Sequence, residues 1–268
     1  MHEKYRVYHQ KYGNRRKRKF NYKRLLLSLT FLCIITLMPL AYSSFFTINN
    51  IIVRGNRNIS TKEIIATIDS YYNKNLLAVK PVEVKQAIQA TIPVEDVNVS
   101  YKLPHTLIVE VKERDMAVAL NYLNGFVLID SEGIVVKMES KLETYSIPVV
   151  TGLNIVSAKV AGRPIFEENV RYFDDLLGLI NILEPIMDEL SEINITVNKS
   201  DDADFYLYTL DGFQVLLDDM DEDKVNRLKD LLDDLRGKGL GKGLLDIRHK
   251  EPIYKPFDSK LGEGSDKE

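Results

Sequence analysis

Histidine, cysteine and carboxylate side chains are the residues of this chain that could carry acid–base, nucleophilic or metal chemistry. The four histidines are His2, His9, His105 and His249, and none has another metal ligand four residues away. Because a metal site or a histidine base needs several convergent partners, this pattern predicts neither. The sole cysteine, Cys33, lies in an apolar run, so the rest of the chain has neither a thiol nucleophile nor a disulfide.

Two further segments could bind ligands. A calcium loop needs a regular spacing of oxygen ligands with a central glycine, and the acidic run 218–223 contains no glycine. The glycine-rich segment 237–243 lacks the spacing and the Ser/Thr of a phosphate-binding loop. Acidic residues before a helix already complement its dipole. We therefore predict that the acidic run is a solvated helix start and that the glycine-rich segment is a flexible linker. We expect no cofactor and no enzymatic activity.

The charge of the chain is distributed unevenly. Residues 1–24 contain ten basic residues and one acid, whereas the whole chain carries a net charge of −3. Residues 25–46 contain no charge, and as a helix they would extend about 33 Å, enough to cross a hydrocarbon core of about 30 Å. By the positive-inside rule we predict a cytoplasmic tail over 1–24, a transmembrane helix over 25–46 and an exported remainder.

Two other interpretations of this region stay open. The basic cluster Arg15–Lys19 could bind nucleic acid, although a solvated flank of a membrane helix explains it fully, so we expect no nucleic-acid partner. Ala41-Tyr42-Ser43 is an acceptable signal-peptidase site, but the apolar stretch is longer than the 7–15 residues usual for a signal peptide. We therefore favour an uncleaved anchor.

Residues 47–115 predict a small β-α-α-β-β domain. A β-branched strand, Thr47–Arg54, ends in a turn at Gly55-Asn56. Ser60-x-x-Glu63 is a capping box that opens a first helix, and Pro81 suits the first turn of a second. Two alternating strands separated by a short break then predict a hairpin.

Residues 116–257 predict a larger mixed β domain with flanking helices, which makes the chain α+β. The helices Phe166–Leu183 and Asp223–Arg236 carry apolar residues at helical spacing. Asp211-Gly212 predicts a type I′ hairpin turn, and the tail 258–268 is predicted to be disordered. The predicted strands are Ala117–Tyr122, Phe126–Asp130, Ile134–Met138, Ile147–Val150, Ile193–Asn198, Phe205–Leu210, Phe213–Leu217, Leu244–Arg248 and Ile253–Phe257.

An apolar anchor followed directly by a strand and a Gly-Asn turn resembles the start of a POTRA domain of the FtsQ/DivIB family of bacterial cell-division proteins. The pattern here is Phe46, Ile48, Ile51, Val53, Gly55 and Asn56. The similarity continues in order through Asn75–Leu77, Tyr101–Leu107, Val109–Arg114, Phe126–Gly133, Ile147–Gly152 and Leu245–Arg248. The segment Phe213–Asp218 departs from the family, in which a glycine often ends this strand.

The resemblance implies a membrane-embedded scaffold at the division septum that acts by binding. Its exported domains would dock FtsL-like and DivIC/FtsB-like bitopic partners and, through them, act on the septal peptidoglycan synthase. For the docking site, a last strand leaves a sheet edge that can bind a peptide by strand addition. The predicted partner-binding residues are Ile253, Tyr254, Phe257 and Arg248, with Pro252 and Pro256 limiting the length of the ladder.

Several alternatives stay open at this point. The residues of the last strand could simply pack back on their own domain. The partner would then dock on the POTRA domain around Val53, Gly55 and Asn56. A membrane-anchored envelope enzyme would need a convergent acid–base cluster. A POTRA-type chaperone in protein export would need repeated POTRA units and a barrel of alternating strands, whereas the sequence shows one unit.

Overall fold

The computed structural model describes residues 21–142, 146–167, 170–197, 202–217, 222–240, 242–249 and 251–257. Most of the predicted cytoplasmic tail, most of the acidic run and the predicted disordered tail lie outside these residues. The described chain is mixed α+β, as predicted, with an apolar N-terminal helix, a small domain around a three-stranded sheet and a large domain around a nine-stranded sheet.

The N-terminal helix, α1, spans Tyr22–Ala41 and is fully exposed. Its mean hydropathy reaches 2.0 over an 18-residue window, and its length and composition are sufficient to cross a membrane. It begins earlier than the predicted 25–46 because Lys23 and Arg24 are good helix formers. It ends earlier because the Ser43 hydroxyl accepts the N–H of Phe45 and starts a separate 3₁₀ turn over Ser44–Phe46.

The small domain follows the predicted β-α-α-β-β order. Its elements are β1 (Asn50–Arg54), α2 (Thr61–Thr67), α3 (Pro81–Gln89), β2 (Val94–Lys102) and β3 (Thr106–Glu113). The central strand β3 pairs with β1 in parallel and with β2 as an antiparallel hairpin. The two helices cover the sheet with fully buried side chains: Ile64 from α2, Ile68 directly after α2, and Val84 and Ile88 from α3.

Local signals place the helices of the small domain. The Ser60 hydroxyl accepts the N–H of Glu63 at 3.2 Å, which forms one half of the predicted capping box. Pro81 occupies the first turn of α3, where its missing N–H costs nothing. The first strand is shorter than predicted, because Thr47 forms only an isolated bridge with Asn75 before regular pairing begins at Asn50.

The large domain contains eleven strands and two helices among the described residues. The strands are β4 (Val118–Tyr122), β5 (Gly125–Ile129), β6 (Val135–Glu139), β7 (Val149–Thr151), β8 (Ile155–Ser157), β9 (Ile165–Phe166), β10 (Leu190–Val197), β11 (Ala203–Thr209), β12 (Gln214–Leu217), β13 (Gly243–Asp246) and β14 (Ile253–Pro256). The helices are α4 (Val170–Leu183) and α5 (Glu222–Gly237).

Nine of these strands form one sheet in the order β14-β13-β12-β11-β10-β7-β4-β5-β6. The pairs β10–β7, β7–β4 and β12–β13 are parallel, and the others are antiparallel. Alternate strand residues such as Ile193 and Leu207 face a single apolar core with Phe173 of α4 and Leu228 of α5. Helices therefore cover one face of the sheet, and β14 is left at an edge.

Two local predictions in the large domain are wrong. Phe166 belongs to β9, which pairs with β8, so α4 begins later than predicted. At the Asp211-Gly212 turn, Gly212 has a φ of +93°, but Asp211 does not have a positive φ, so the turn is not type I′. Thr209 N–H instead donates to Phe213 C=O and Gly212 N–H to Thr209 C=O, the pattern of a three-residue loop with a glycine bulge.

The carboxylate of Glu113 closes the far end of the small domain. This buried side chain accepts backbone N–H groups from Arg57 at 2.6 Å and from Ile59 at 2.9 Å, and both of its oxygens accept from Asn58. Burial by itself would raise the pKa of Glu113, but these three donors outweigh burial and hold the pKa below its ordinary value near 4.5.

The next residue, Arg114, links the two domains. Its guanidinium donates to the carbonyl of Val94 in the small domain at 3.2 Å and to Glu132 in the large domain at 2.7 Å, and it also pairs with Asp130. The Asp130 carboxylate is buried and accepts a further N–H from Ile134. One side chain therefore holds strand ends of both domains together.

Candidate partner-binding edge

The strand β14 lies at the edge of the nine-stranded sheet, as the sequence predicts for the last strand. It pairs antiparallel with β13 in the register Asp246–Ile253, Leu245–Tyr254, Leu244–Lys255 and Gly243–Pro256. Its other side carries no strand among the described residues. Such an edge is a template for adding a strand from another chain.

The backbone direction of β14 determines what the edge offers. Phe257 N–H donates to the carbonyl of Lys242 at 3.0 Å, towards β13. Because antiparallel strands turn alternate residues towards each neighbour, Tyr254 directs its N–H and C=O outward, and Pro252 and Pro256 also lie at outward positions. Proline has no N–H, so within 252–256 Tyr254 is the one residue that can donate outward.

The predicted anchor side chains of this strand are in different environments. Ile253 and Phe257 are 43% and 50% exposed and are available to a partner. Tyr254 is half-buried, packs against the core of the large domain and lies 6.4 Å from the ring of Phe213, centroid to centroid. Tyr254 therefore packs back on its own domain, as the alternative interpretation expected for all three residues.

Gly243 makes this packing of Tyr254 feasible and was not singled out from the sequence. A side chain at Gly243 would begin 2.5 Å from the Tyr254 ring and 2.6 Å from the carbonyl oxygen of Lys255. The neighbouring Gly237 ends α5 and has no atom within 4 Å of where a Cβ would stand. The useful signal was that Gly243 directly precedes an apolar run, as expected where two strands approach closely.

Arg248 lies next to the edge, but its guanidinium is already occupied. It forms two hydrogen bonds with the carboxylate of Asp246, at 2.8 and 3.0 Å, and lies 3.9 Å from Asp204. These hydrogen bonds are the main cause of a lowered pKa at Asp246. The Arg248 side chain therefore stabilises the end of β13. It could bind a carboxylate of a partner only by sharing its hydrogen-bond donors between that carboxylate and Asp246.

A groove of about 600 Å³ continues from the start of β14. It lies between α5 and the segment that follows β13, and no pattern in the sequence indicates it. Its walls combine the apolar side chains Leu231, Ile247 and Pro252 with charged groups of both signs: Lys224, Arg227, Asp230, Asp234 and Arg248. A lining that combines apolar and charged side chains is compatible with a protein-binding groove.

The alternative docking residues on the small domain carry local structure. Val53 lies on β1, the edge of the three-stranded sheet, and its side chain is half-buried against the core. Gly55 has a φ of +84°, and a Cβ there would lie 2.2 Å from the carbonyl oxygen of Val111. The Asn56 side chain donates to Ile59 C=O at 2.8 Å and to the Thr61 hydroxyl at 3.2 Å, so it shapes its own turn.

A metal site would require several ligating side chains close together. Among the described residues, His, Cys, Asp and Glu form no group of three or more that could hold a metal ion. His105 and His249 are exposed, as predicted for surface residues.

The arrangement defines a class: one helix suited to a membrane, then a POTRA-type domain and a β-sheet domain with an accessible edge. Residues 46–114 match the family described as "POTRA domain, FtsQ-type", and residues 117–248 match "Cell division protein FtsQ/DivIB, C-terminal". The chain belongs to the FtsQ/DivIB family of cell-division proteins.

Individual relatives agree with this assignment. The chain is 28% identical over 143 residues to a "Cell division protein DivIB" of Clostridium tetani, covering 51% of this chain and 52% of that protein. It is 24% identical over 214 residues to the DivIB of Clostridium acetobutylicum, covering 78% and 83%. An FtsQ of Koribacter versatilis is 26% identical over 166 residues, covering 58% and 46%. The matched part therefore spans about half of the first and third of these relatives.

Among solved structures, the chain matches one described as the major extracytoplasmic domain of the trans isomer of DivIB from Geobacillus stearothermophilus. The sequence identity is 16%, with 40% of this chain and 80% of that chain covered and a TM-score of 0.27.

Proposed function

We propose that the protein is a bitopic scaffold that binds FtsL-like and DivIC/FtsB-like partners outside the membrane and thereby supports septal peptidoglycan synthesis. It acts through affinity and makes or breaks no bond. Membership of a cell-division family supports a role in cell division. The length and composition of α1 support attachment to a membrane.

The observation that carries the proposal is the accessible edge β14 with two exposed apolar side chains, Ile253 on the strand and Phe257 directly after it. Strand addition would provide main-chain hydrogen bonds, and these side chains would provide selectivity. The groove beside Pro252 extends the same surface, so a partner segment could continue from a strand into the groove. The edge and the groove together form the proposed docking surface.

The topology belongs to the same proposal. With the N-terminus in the cytoplasm, the basic residues before α1 face the anionic inner leaflet, and both folded domains lie outside. Protease added to intact protoplasts should then digest the two domains and leave a short N-terminal fragment. Protection of the domains would show the opposite orientation.

Co-purification of the full chain from membranes tests the binding role. FtsL-like and DivIC-like proteins should be recovered with the wild-type chain and lost with Phe257→Glu, which places a charge on the exposed edge without touching the core. Lys62→Glu, on the exposed start of α2, is the matched control and should retain them. Recovery of the partners at wild-type levels with Phe257→Glu would show that docking does not use this edge.

A further inference from the structure

The joint between α1 and the small domain is held by hydrogen bonds. The Asn75 side chain donates to the carbonyl of Ala41, at the end of α1, at 2.7 Å and accepts the N–H of Leu77 at 2.9 Å. Leu76 N–H donates to the carbonyl of Phe46 at 2.7 Å. The small domain therefore follows α1 directly, with no flexible linker between them.

Two loops of the small domain lie at the end where the chain leaves α1. Ile48 N–H donates to the carbonyl of Lys74, which places the loop before α3 there. Asn49 N–H donates to the carbonyl of His105, which places the β2–β3 turn there. The Tyr101 hydroxyl donates to the carbonyl of Val79 and joins that turn to the loop before α3. The opposite end of β1, at Gly55, points towards the large domain.

This end has an unusual surface, which we call the membrane-proximal rim. Four apolar residues of this rim are at least half exposed: Phe45 at 59%, Leu77 at 50%, Val82 at 62% and Leu103 at 62%. Three lysines are also exposed at this end: Lys74 and Lys80 in the loop before α3, and Lys102 at the end of β2. Lys74 lies over the Tyr71 ring at 4.5 Å, and Lys80 pairs with Glu83 at 2.9 Å.

We propose that the membrane-proximal rim rests on the outer leaflet of the membrane, with its apolar side chains at headgroup level and its lysines on anionic phospholipids. The contact rests on α1 crossing the membrane and is continuous with it, because the rim begins within a few residues of Ala41. Exposed apolar groups beside lysines match the interfacial zone, where apolar groups and positive charges are both stabilised. The small domain would then stand in one orientation on the bilayer.

Depth-dependent quenching in the full chain tests this contact. A fluorophore on Leu103→Cys, in a Cys33→Ser background, reports the rim, and one on Lys62→Cys reports the exposed start of α2 at the other end of β1. A label on the native Cys33 shows whether α1 is in the bilayer. The protein is reconstituted in nanodiscs of phosphatidylcholine with or without phosphatidylglycerol. A quencher on the lipid headgroups reports on the labels at 103 and 62, and a quencher on the acyl chains reports on the label at Cys33.

The label at 103 should be quenched strongly in discs with phosphatidylglycerol, and the label at 62 should not. Neutralising one lysine, as Lys74→Gln or Lys102→Gln, should lower the ratio of docked to lifted domain by roughly fivefold in each case. Equal quenching at 103 and 62, with Cys33 quenched, would overturn the proposal without affecting the membrane span. Equal quenching in both lipids would overturn the anionic-lipid assignment. Dependence on the number of copies per disc would assign the rim to a second copy.

Discussion

Arg114 and Asp130 form an ion pair across the boundary between the small and the large domain, with both side chains largely shielded from water. Breaking a shielded pair leaves an uncompensated charge, which costs much more than breaking a surface pair. The pair therefore couples the stability of the two domains.

Replacing Arg114 by Ala should destabilise the chain by about 3 kcal/mol and let the domains unfold in separate steps. Arg57→Ala is the matched control, because Arg57 pairs with Asp115 at 3.4 Å in an exposed position where a pair contributes less than about 1 kcal/mol. Urea unfolding measures the loss of stability in each variant. Hydrogen exchange at the strand ends shows whether the two domains unfold in separate steps. Similar unfolding curves for both variants would refute the coupling.

The buried Glu113 predicts that the small domain weakens in acid. Its folded pKa is lowered, so its contribution is present above the unfolded pKa, near 4.5, and is lost as the pH falls through the folded value. Glu113→Gln removes the charge but keeps the shape, and should lower stability at pH 7 by about 2 kcal/mol.

The pH dependence of stability distinguishes the loss of the Glu113 charge from a general loss of packing. The wild type should lose stability as the pH falls below about 4.5 and through the lower folded pKa of Glu113, whereas the stability of Glu113→Gln should change less over that range. Thermal unfolding at several pH values measures both. Parallel curves for the two proteins would show that another group governs the acid response.

Gly55→Val should disrupt the small domain, because valine tolerates neither the positive φ nor the 2.2 Å approach to the Val111 carbonyl. A loss of about 3 kcal/mol or more is expected. Gly237→Val is the control, because that position has open space, and its cost should stay within about 1 kcal/mol. Equal melting temperatures for the two variants would contradict the role assigned to Gly55.

Phe257→Ala and Tyr254→Ala should have different effects, although the two residues are close in sequence. Phe257 is half exposed, so its loss should weaken partner binding by about 2 kcal/mol and leave the melting temperature nearly unchanged. Tyr254 packs against the core, so its loss should destabilise the large domain by about 2 kcal/mol. Calorimetric binding and thermal unfolding of both variants provide the comparison. A Tyr254→Ala variant with the wild-type melting temperature would contradict the core role assigned to this ring.

The sequence predicted elements whose signals are local. The stripe on α5, including Leu228 and Leu232, is buried as expected, because helical spacing depends on the residues of one segment. The capped start of α2 and the positive φ of Gly55 follow from short motifs in the same way. The order of the small domain could therefore be predicted.

Features that depend on distant residues could not be predicted. The position of β7 between β4 and β10 depends on parallel pairing across long connections, which leaves no periodic signal in the chain. Phe166 continues an apolar pattern with the following helix, yet pairing with Ile155 draws it into a strand. At the candidate edge the sequence predicted the strand, but not that Tyr254 would lie across Gly243.

The two prolines of β14 have a consequence for which chains can pair there. Between Pro252 and Pro256 the outward side of the strand presents several carbonyl acceptors and one donor, the N–H of Tyr254. Two copies of this donor-poor edge placed side by side would leave most of their carbonyls without a hydrogen bond. A strand with regularly spaced N–H groups would satisfy them. We therefore expect this edge to pair poorly with a second copy of itself and better with a strand from another protein.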